Sequence, residues 1–278
     1  MSQGAGGTRP PRFPLALDQV GRSASSTKPR ETLRPQRHLH EAAKDARVQT
    51  VPQGLGLDSA LVRQRMVQRL RAEGIRCEPV FAAMGDVPRH HFVDTALAIQ
   101  AYEDTSLPIG HGQTISKPSV VARMVELLFE GRSARDAGHL GRTLEVGTGC
   151  GYQTALLARL ARRVVSIERL RPLFDKAQTN LAAWLPSHGL DHVRLVFGDG
   201  MLGHAPHAPY DSLIAAAGGE ELPAPWLEQL AMGGRLVAPM QRSAGRGQVL
   251  VVVDRRESGL VRTEHEAVHF VPLKSGTV

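Results

Sequence analysis

Residues 143–153 read TLEVGTGCGYQ, a short apolar run that closes on an acidic residue and is followed by glycines at 147, 149 and 151. The run has strand character. Glycine at alternate positions marks a turn where the backbone takes positive φ or is approached closely by another group. A helical pattern begins at once, from Tyr152 to Ala161. In α/β sheets ligands bind beyond the carboxyl ends of the strands, beside this first strand-to-helix turn.

Outward from that unit, strand and helix signals alternate. Strands are expected at 142–146, 163–167, 193–197, 211–215, 235–239 and 248–253, with helices at Tyr152–Ala161, Arg171–Leu185 and Pro225–Leu230. Three helices are expected earlier. One starts near Asp58 as N-cap, stops at Gly74 and turns Leu61, Val62, Met66, Val67 and Leu70 to one face; the others cover Glu78–Met84 and Ser119–Phe129. Short apolar strands alternating with amphipathic helices predict an α/β fold, its central sheet mostly parallel with helices on both faces.

The chain has 278 residues, enough for one principal domain with a buried core. Its charge is uneven. Nine of the 34 Lys and Arg, but four of the 27 Asp and Glu, lie in residues 1–50, so the first 50 residues carry +5 of the total +7. Residues 1–54 also hold Gly, Pro and Ser without helical or strand period, and are expected to be a basic, disordered extension before a domain at 55–278. Such a tail can meet phosphates non-specifically, but with Phe13 as its one aromatic it offers no stacking platform, and no specific nucleic acid partner is expected. An Arg-rich transit peptide is the alternative for this tail, weakened by Asp18 and Glu31. No window approaches the roughly 18 uninterrupted apolar residues of a membrane span. Cys77 and Cys150 show no metal-ligand spacing, so no metal is expected, and two reduced thiols in a cytoplasmic protein are the expectation.

The glycine spacing is G-x-G-x-G rather than the G-x-G-x-x-G of dinucleotide folds. Glu145 stands two residues before the first glycine, where a carboxylate repels pyrophosphate and suits an ammonium group. Glu168 follows the next strand, placed to accept from two ribose hydroxyls. Asp199, in Gly198-Asp199-Gly200, is expected to accept from an exocyclic amine, with Gly200 giving clearance for a flat ring. Each signal alone has a plain reading: a tight turn, a solvated strand end, another turn. Together, at successive strand ends, they describe S-adenosylmethionine. Tyr152 and Trp184 are expected as core or surface aromatics, the alternative being platforms for adenine.

The run LPIGHGQTISKPSVVARMVELL at 107–128 resembles the protein-L-isoaspartate O-methyltransferase family. The resemblance continues through VPRHHFV at 87–93, TLEVGTGCGYQTALLA, VVSIER, the Gly-Asp-Gly turn, LPAPWLEQLAMGGRLVAPM and VHFVPL, spanning about 58–274. It implies a Rossmann-like S-adenosylmethionine-dependent methyltransferase fold. It also implies methyl transfer to the carboxylate of an isoaspartyl residue in a damaged protein, with S-adenosylhomocysteine as the other product; the ester then closes to a succinimide and repair begins. By the same resemblance Ser116 lies beside the reacting carboxylate, Thr114 helps to shape the site, and Glu145, Gly147, Gly149, Gly151, Glu168, Asp199 and Gly200 contact the cofactor. Gln113, Ile115, Ala216, Val271, Pro272 and Leu273 flank the substrate groove. The alternative for Thr114 and Ser116 is that they cap the helix near Ser119.

Three departures stand beside these matches. Cys150 occupies a position that is commonly a small hydroxyl residue in the family, a change that raises the question of oxidation. Ala215 and Ala216 replace a pattern that often carries Thr. The first 54 residues have no counterpart. His90, His91 and His111 lack a matched partner and are expected in surface or core roles. A methyltransferase acting on a small molecule or RNA is the alternative function; it keeps the cofactor residues but has no need of GQTIS or FVPL. The expected working form is a monomer whose partners are isoaspartyl-containing proteins and peptides.

Overall fold

The computed structural model describes residues 60–184, 191–243 and 247–278. The expected extension at 1–54 and the Asp58 cap lie outside the described residues. Helix α1 (Ala60–Ala72) leads into α2 (Glu78–Asp86), followed by a short hairpin, β1 (Leu107–Gly110) and β2 (Gln113–Ile115), then α3 (Pro118–Phe129) and α4 (Arg132–Ala137). The remaining order is β3 (Arg142–Val146), α5 (Tyr152–Leu160), β4 (Arg163–Glu168), α6 (Arg171–Trp184), β5 (Val193–Phe197), β6 (Tyr210–Ala215), α7 (Ala224–Glu228), β7 (Leu230–Gln241), β8 (Gln248–Arg256) and β9 (Gly259–Val268).

Strands β3 to β9 form one seven-stranded sheet in the order β5-β4-β3-β6-β7-β8-β9. The first five are parallel to one another, and β8 pairs antiparallel with both β7 and β9. Parallel neighbours need crossovers, which α5 supplies between β3 and β4 and α6 between β4 and β5. From β3 the chain winds outward to β5, then returns to lay β6 on the other side of β3. That reversal opens a crevice above the carboxyl ends of β3 and β6, the place where sheets of this kind take ligands.

The central strands β3, β4 and β6 are almost wholly buried, with alternate residues feeding two clusters. One cluster joins Met66, Leu70, Leu128, Tyr152, Leu156 and Leu181, so α1, α2, α3, α5 and α6 share one face of the sheet. The other holds Leu144, Val146, Ile167 and Leu213 against Trp226 of α7. Helix cover is therefore unequal, and the lighter face relies on a single fully buried indole whose Nε1 donates to the Gly200 carbonyl at 2.8 Å.

Three elements escape the apolar pattern. Strand β9 carries Arg262, Glu264 and Glu266 on an exposed edge, where charge guards against strand addition, so its sequence reads as polar loop. The hairpin turns on Gly110, His111 and Gly112, all at positive φ, and its strands are too short for a period to register. Helix α4 has one buried residue, Ala134. In α1 the apolar face is narrower than expected: Met66 and Leu70 are buried and Val62 and Val67 pack partly against them, but Leu61 is 64% exposed.

Gly151 sets the angle between β3 and α5. Its φ is +92°, and a Cβ there would meet Leu181 Cγ at 3.0 Å. Gly151→Ala is expected to cost roughly 1–3 kcal/mol in unfolding free energy, measured by urea titration. An unchanged midpoint would mean the turn relaxes without cost.

Candidate active site

A cavity of about 360 Å³ opens above β3, β4 and β6. Its wall includes Gly147, Gly149, Glu168 and Gly200 from the strand ends, Gln113, Thr114, Ile115 and Ser116 from the hairpin, and Ala216, Val271, Pro272 and Leu273 from the far side. Ten of the thirteen positions expected from the cofactor and substrate motifs thus face one space, together with both expected catalytic hydroxyls. Glu145, Gly151 and Asp199 do not line it.

The floor is held by two carboxylates. Glu168 accepts from the Gly149 and Leu170 backbone N–H groups, each at 2.9 Å, tying the glycine turn to the end of β4 while remaining in the cavity wall. Glu145 is fully buried beneath the turn, where Gln153 Nε2 donates at 3.0 Å, Thr154 Oγ1 at 2.5 Å and Ser166 Oγ at 2.6 Å. It joins β3, β4 and the first turn of α5 from the helix-covered side of the sheet. A direct contact with an ammonium group in the cavity is not what this placement provides. Gly151 is likewise turned away, onto Leu181.

Asp199 departs in another way. One carboxylate oxygen accepts from Met201 N–H at 2.9 Å and the other from Gly276 N–H at 2.6 Å, so the carboxylate anchors residues 274–278 over this end of the site. The same segment is held by Arg169, whose Nε donates to the Gly276 carbonyl at 2.9 Å, and by backbone bonds between Val278 and both Arg169 and Arg171. Lys274 and Val278 consequently join the wall.

On the far side of the cavity, Gly218 pins the 271–273 segment: its N–H donates to the Val271 carbonyl and its carbonyl accepts from Leu273 N–H, both at 2.8 Å. Lys176 of α6 reaches across to the Ile109 carbonyl at 3.0 Å and steadies the hairpin. Ser116 is half-buried and Thr114 exposed, both in the wall. Neither caps α3. Its N-cap is Lys117, which makes no side-chain cap bond, while Asp104 accepts from Ser119 N–H and Ser119 Oγ, both at 2.8 Å. The capping alternative for Thr114 and Ser116 therefore fails, and their hydroxyls are left for the cavity.

Comparison with known proteins adds a decisive observation. The protein-family profile described as protein-L-isoaspartate(D-aspartate) O-methyltransferase matches residues 61–278. The chain belongs to that family. A protein-L-isoaspartate O-methyltransferase of Methylibium petroleiphilum is 63% identical over 98% of each chain, and one of Leptothrix cholodnii is 58% identical over 88% of this chain and 84% of its own. A solved protein-L-isoaspartate O-methyltransferase superposes with a TM-score of 0.66 at 26% identity, covering 77% of this chain and 66% of that one. A Plasmodium falciparum structure in complex with S-adenosyl-L-homocysteine gives 0.65 at 23% identity, over 76% and 98% of the two chains, a likeness of fold. Membership of the family makes the chain a protein carboxyl methyltransferase on the α/β scaffold described above.

For a methyltransferase of this family the remaining polar groups are quiet. Cys150 lines the cavity but burial pushes its thiol up, the opposite of a reactive thiolate, so the position does not favour oxidation. His111, at φ +53° in the hairpin turn, lines the cavity rather than lying in the core, while His90 bonds to the Tyr102 hydroxyl at 2.6 Å. Tyr152 and Trp184 are both buried in the core, and Tyr152 also lines the cavity. Among the described residues no cluster of three or more His, Cys, Asp or Glu is placed to hold a metal, and no helix is long and apolar enough to cross a membrane.

Glu145 is the group whose titration is legible. Burial, opposed by its three hydrogen-bond donors, pushes it from an ordinary 4.5 up to about 7. Between those values the folded protein holds a proton that the unfolded chain releases. The stability this group contributes is therefore full at acid pH and is lost as pH rises through about 7. Glu145→Gln removes that loss: relative to the parent chain, its unfolding free energy should rise by roughly 2–3 kcal/mol between about pH 5 and pH 8. Urea unfolding at several pH values checks this, and a difference that stays flat with pH would show Glu145 ionised throughout.

Proposed function

We propose that this cavity methylates the carboxylate of isoaspartyl residues in damaged proteins, with Ser116 beside the reacting oxygen and Thr114 shaping the pocket around it. The observation that carries the reading is that both hydroxyls open onto the same space as Gly147, Gly149 and Glu168. Residues 55–278 act as the methyltransferase domain, which the extent of the family match supports.

The residues suit the cofactor. A volume of about 360 Å³ lies within the range of small-ligand sites. Gly147 and Gly149 present bare backbone, and the Glu168 carboxylate, held in place by two N–H donors, can accept from ribose hydroxyls. Gly200 lines the cavity, where its missing Cβ lets the backbone pack against Val146 Cγ1. Glu145, Gly151 and Asp199 act from behind, Glu145 by fixing the start of α5, Gly151 by its backbone and Asp199 by holding the 274–278 segment. When bound, S-adenosylmethionine supplies a methyl group on a sulfonium and leaves as S-adenosylhomocysteine.

A carboxylate is ionised at neutral pH and needs no base. The chain's work is to align and to dry. The substrate oxygen donates the electron pair that forms the O–CH₃ bond as the CH₃–S bond breaks, and its pair passes to sulfur. Gln113, Ile115, Ala216, Val271, Pro272 and Leu273 hold the peptide around that line and exclude water, where alignment alone can be worth roughly 7–11 kcal/mol. Ser116 Oγ donates to the carboxylate and orients one oxygen at the methyl group. The reading includes a monomer as the working unit and a cytoplasmic setting.

Labelled S-adenosylmethionine and two peptides that differ only in isoaspartyl against aspartyl at one position test the reading. Base-labile label is expected on the isoaspartyl peptide alone, and Ser116→Ala should lower kcat/KM by about 10- to 100-fold, the worth of one hydrogen bond to a charged group. Label on neither peptide, with S-adenosylhomocysteine still bound, would overturn the substrate assignment.

A further inference from the structure

Arg89, in the run VPRHHFV, is fully buried, yet among the described residues no carboxylate pairs with it. Its Nε donates to the Ala101 carbonyl at 2.8 Å and its Nη2 to the Ser116 carbonyl at 2.7 Å. The guanidinium carbon lies 4.8 Å from the centre of the Tyr152 ring, which itself lines the cavity. Neither Arg89 Nη1 nor the Tyr152 hydroxyl has a well-formed hydrogen bond among the described residues. Burial draws the guanidinium pKa down, and the influences that oppose it come from Tyr152, Cys150 and Asp104, the last already committed to the start of α3.

A buried cation without an anion is costly, and such charges are normally paired. Here the missing anion has an obvious source. The residue whose carbonyl Arg89 grips is Ser116, so the guanidinium stands one residue's width behind the hydroxyl that receives the carboxylate. We propose that Arg89 is a positioning residue for the substrate carboxylate: from behind Ser116 it sets a standing positive potential that draws the isoaspartyl carboxylate in and that the carboxylate neutralises on binding. The inference rests on the reading given under Proposed function.

The sign of its kinetic effect follows from the chemistry. An anion and a sulfonium combine to give a neutral ester and a neutral thioether, so charge is disappearing in the transition state. A fixed cation behind the carboxylate favours the bound anion at least as much as the transition state. Arg89 therefore acts on KM and not on kcat.

The experiment compares the parent chain with Arg89→Met and Arg89→Lys, using an isoaspartyl peptide as substrate and the isoasparaginyl peptide of the same sequence as a neutral competitive inhibitor. Arg89→Met should raise KM for the acid about tenfold or more with kcat unchanged or slightly higher, while the inhibition constant of the neutral peptide stays within about threefold. Arg89→Lys, which keeps the charge, should recover most of KM. Calorimetric binding of S-adenosylhomocysteine should be the same in all three. A fall in kcat with KM intact, or a loss of the neutral peptide equal to that of the acid, would reduce Arg89 to a structural prop and overturn the inference. If Arg89→Met does not fold, the parent chain still decides: loaded with S-adenosylhomocysteine it should bind the acid about tenfold tighter than the neutral peptide, and equal binding would overturn it. A parent chain that leaves the isoaspartyl peptide unmethylated defeats the underlying reading instead, a result distinct from all of these.

Discussion

The Glu168 carboxylate, accepting from Gly149 N–H and Leu170 N–H, is the interaction on which the site depends. It couples the glycine turn after β3 to the end of β4, carrying on to Gly149 the link that the Gly147 and Thr148 N–H groups make to the Ile167 carbonyl. The turn can reach the carboxylate because Gly147 and Gly149 sit at φ +92° and +58°, conformations that bring successive N–H groups round toward β4. One face of the carboxylate is spent on the backbone, and the residue still reaches the cavity.

Glu145 performs the complementary task beneath the turn. Two residues earlier on β3 and fully buried, it gathers Ser166 from β4 and Gln153 and Thr154 from α5. The two carboxylates differ in their partners, backbone N–H groups for Glu168 and side chains for Glu145. Three good donors would hold a wet carboxylate well below its ordinary pKa, yet burial outweighs them and Glu145 rises to about 7. Its value to the site is geometric, since it fixes the axis of α5 relative to β3 and β4, and so the angle at which the turn meets the cavity.

Much of this was readable from residues alone, for physical reasons that differ by element. Strands β3, β4 and β6 are buried on both faces, so their apolar runs stand out, and chain order places their ends together. The hydroxyls of Thr114 and Ser116 were located by resemblance, and the geometry then removed the capping alternative because Asp104 does that work. What chain order does not reveal is which way a strand-end side chain turns. Val146 faces the cavity and Glu145, its neighbour, must face the helices, as alternation along a strand requires; that signal was available and bore on Glu145. Asp199 was not recoverable in this way, since its partner Gly276 is 77 residues distant in the chain. Strand β9 and the β1–β2 hairpin were hidden because an exposed charged edge and a four-residue strand carry no apolar period.

The charges of the site make sense as a set. The chemistry brings a negative group and a positive group together and leaves neither, so a dry cavity favours the transition state over the separated ions, provided each ion is first drawn in from water. In the reading proposed above, Glu168 offers negative charge on the cofactor side and Arg89, reached through the Ser116 carbonyl, positive charge on the substrate side. The two are carried by different segments, Glu168 in the cavity wall and Arg89 buried behind Ser116, and have no direct bond to each other among the described residues. Had they been adjacent, they would have neutralised one another and left the cavity with no gradient to sort its two ligands.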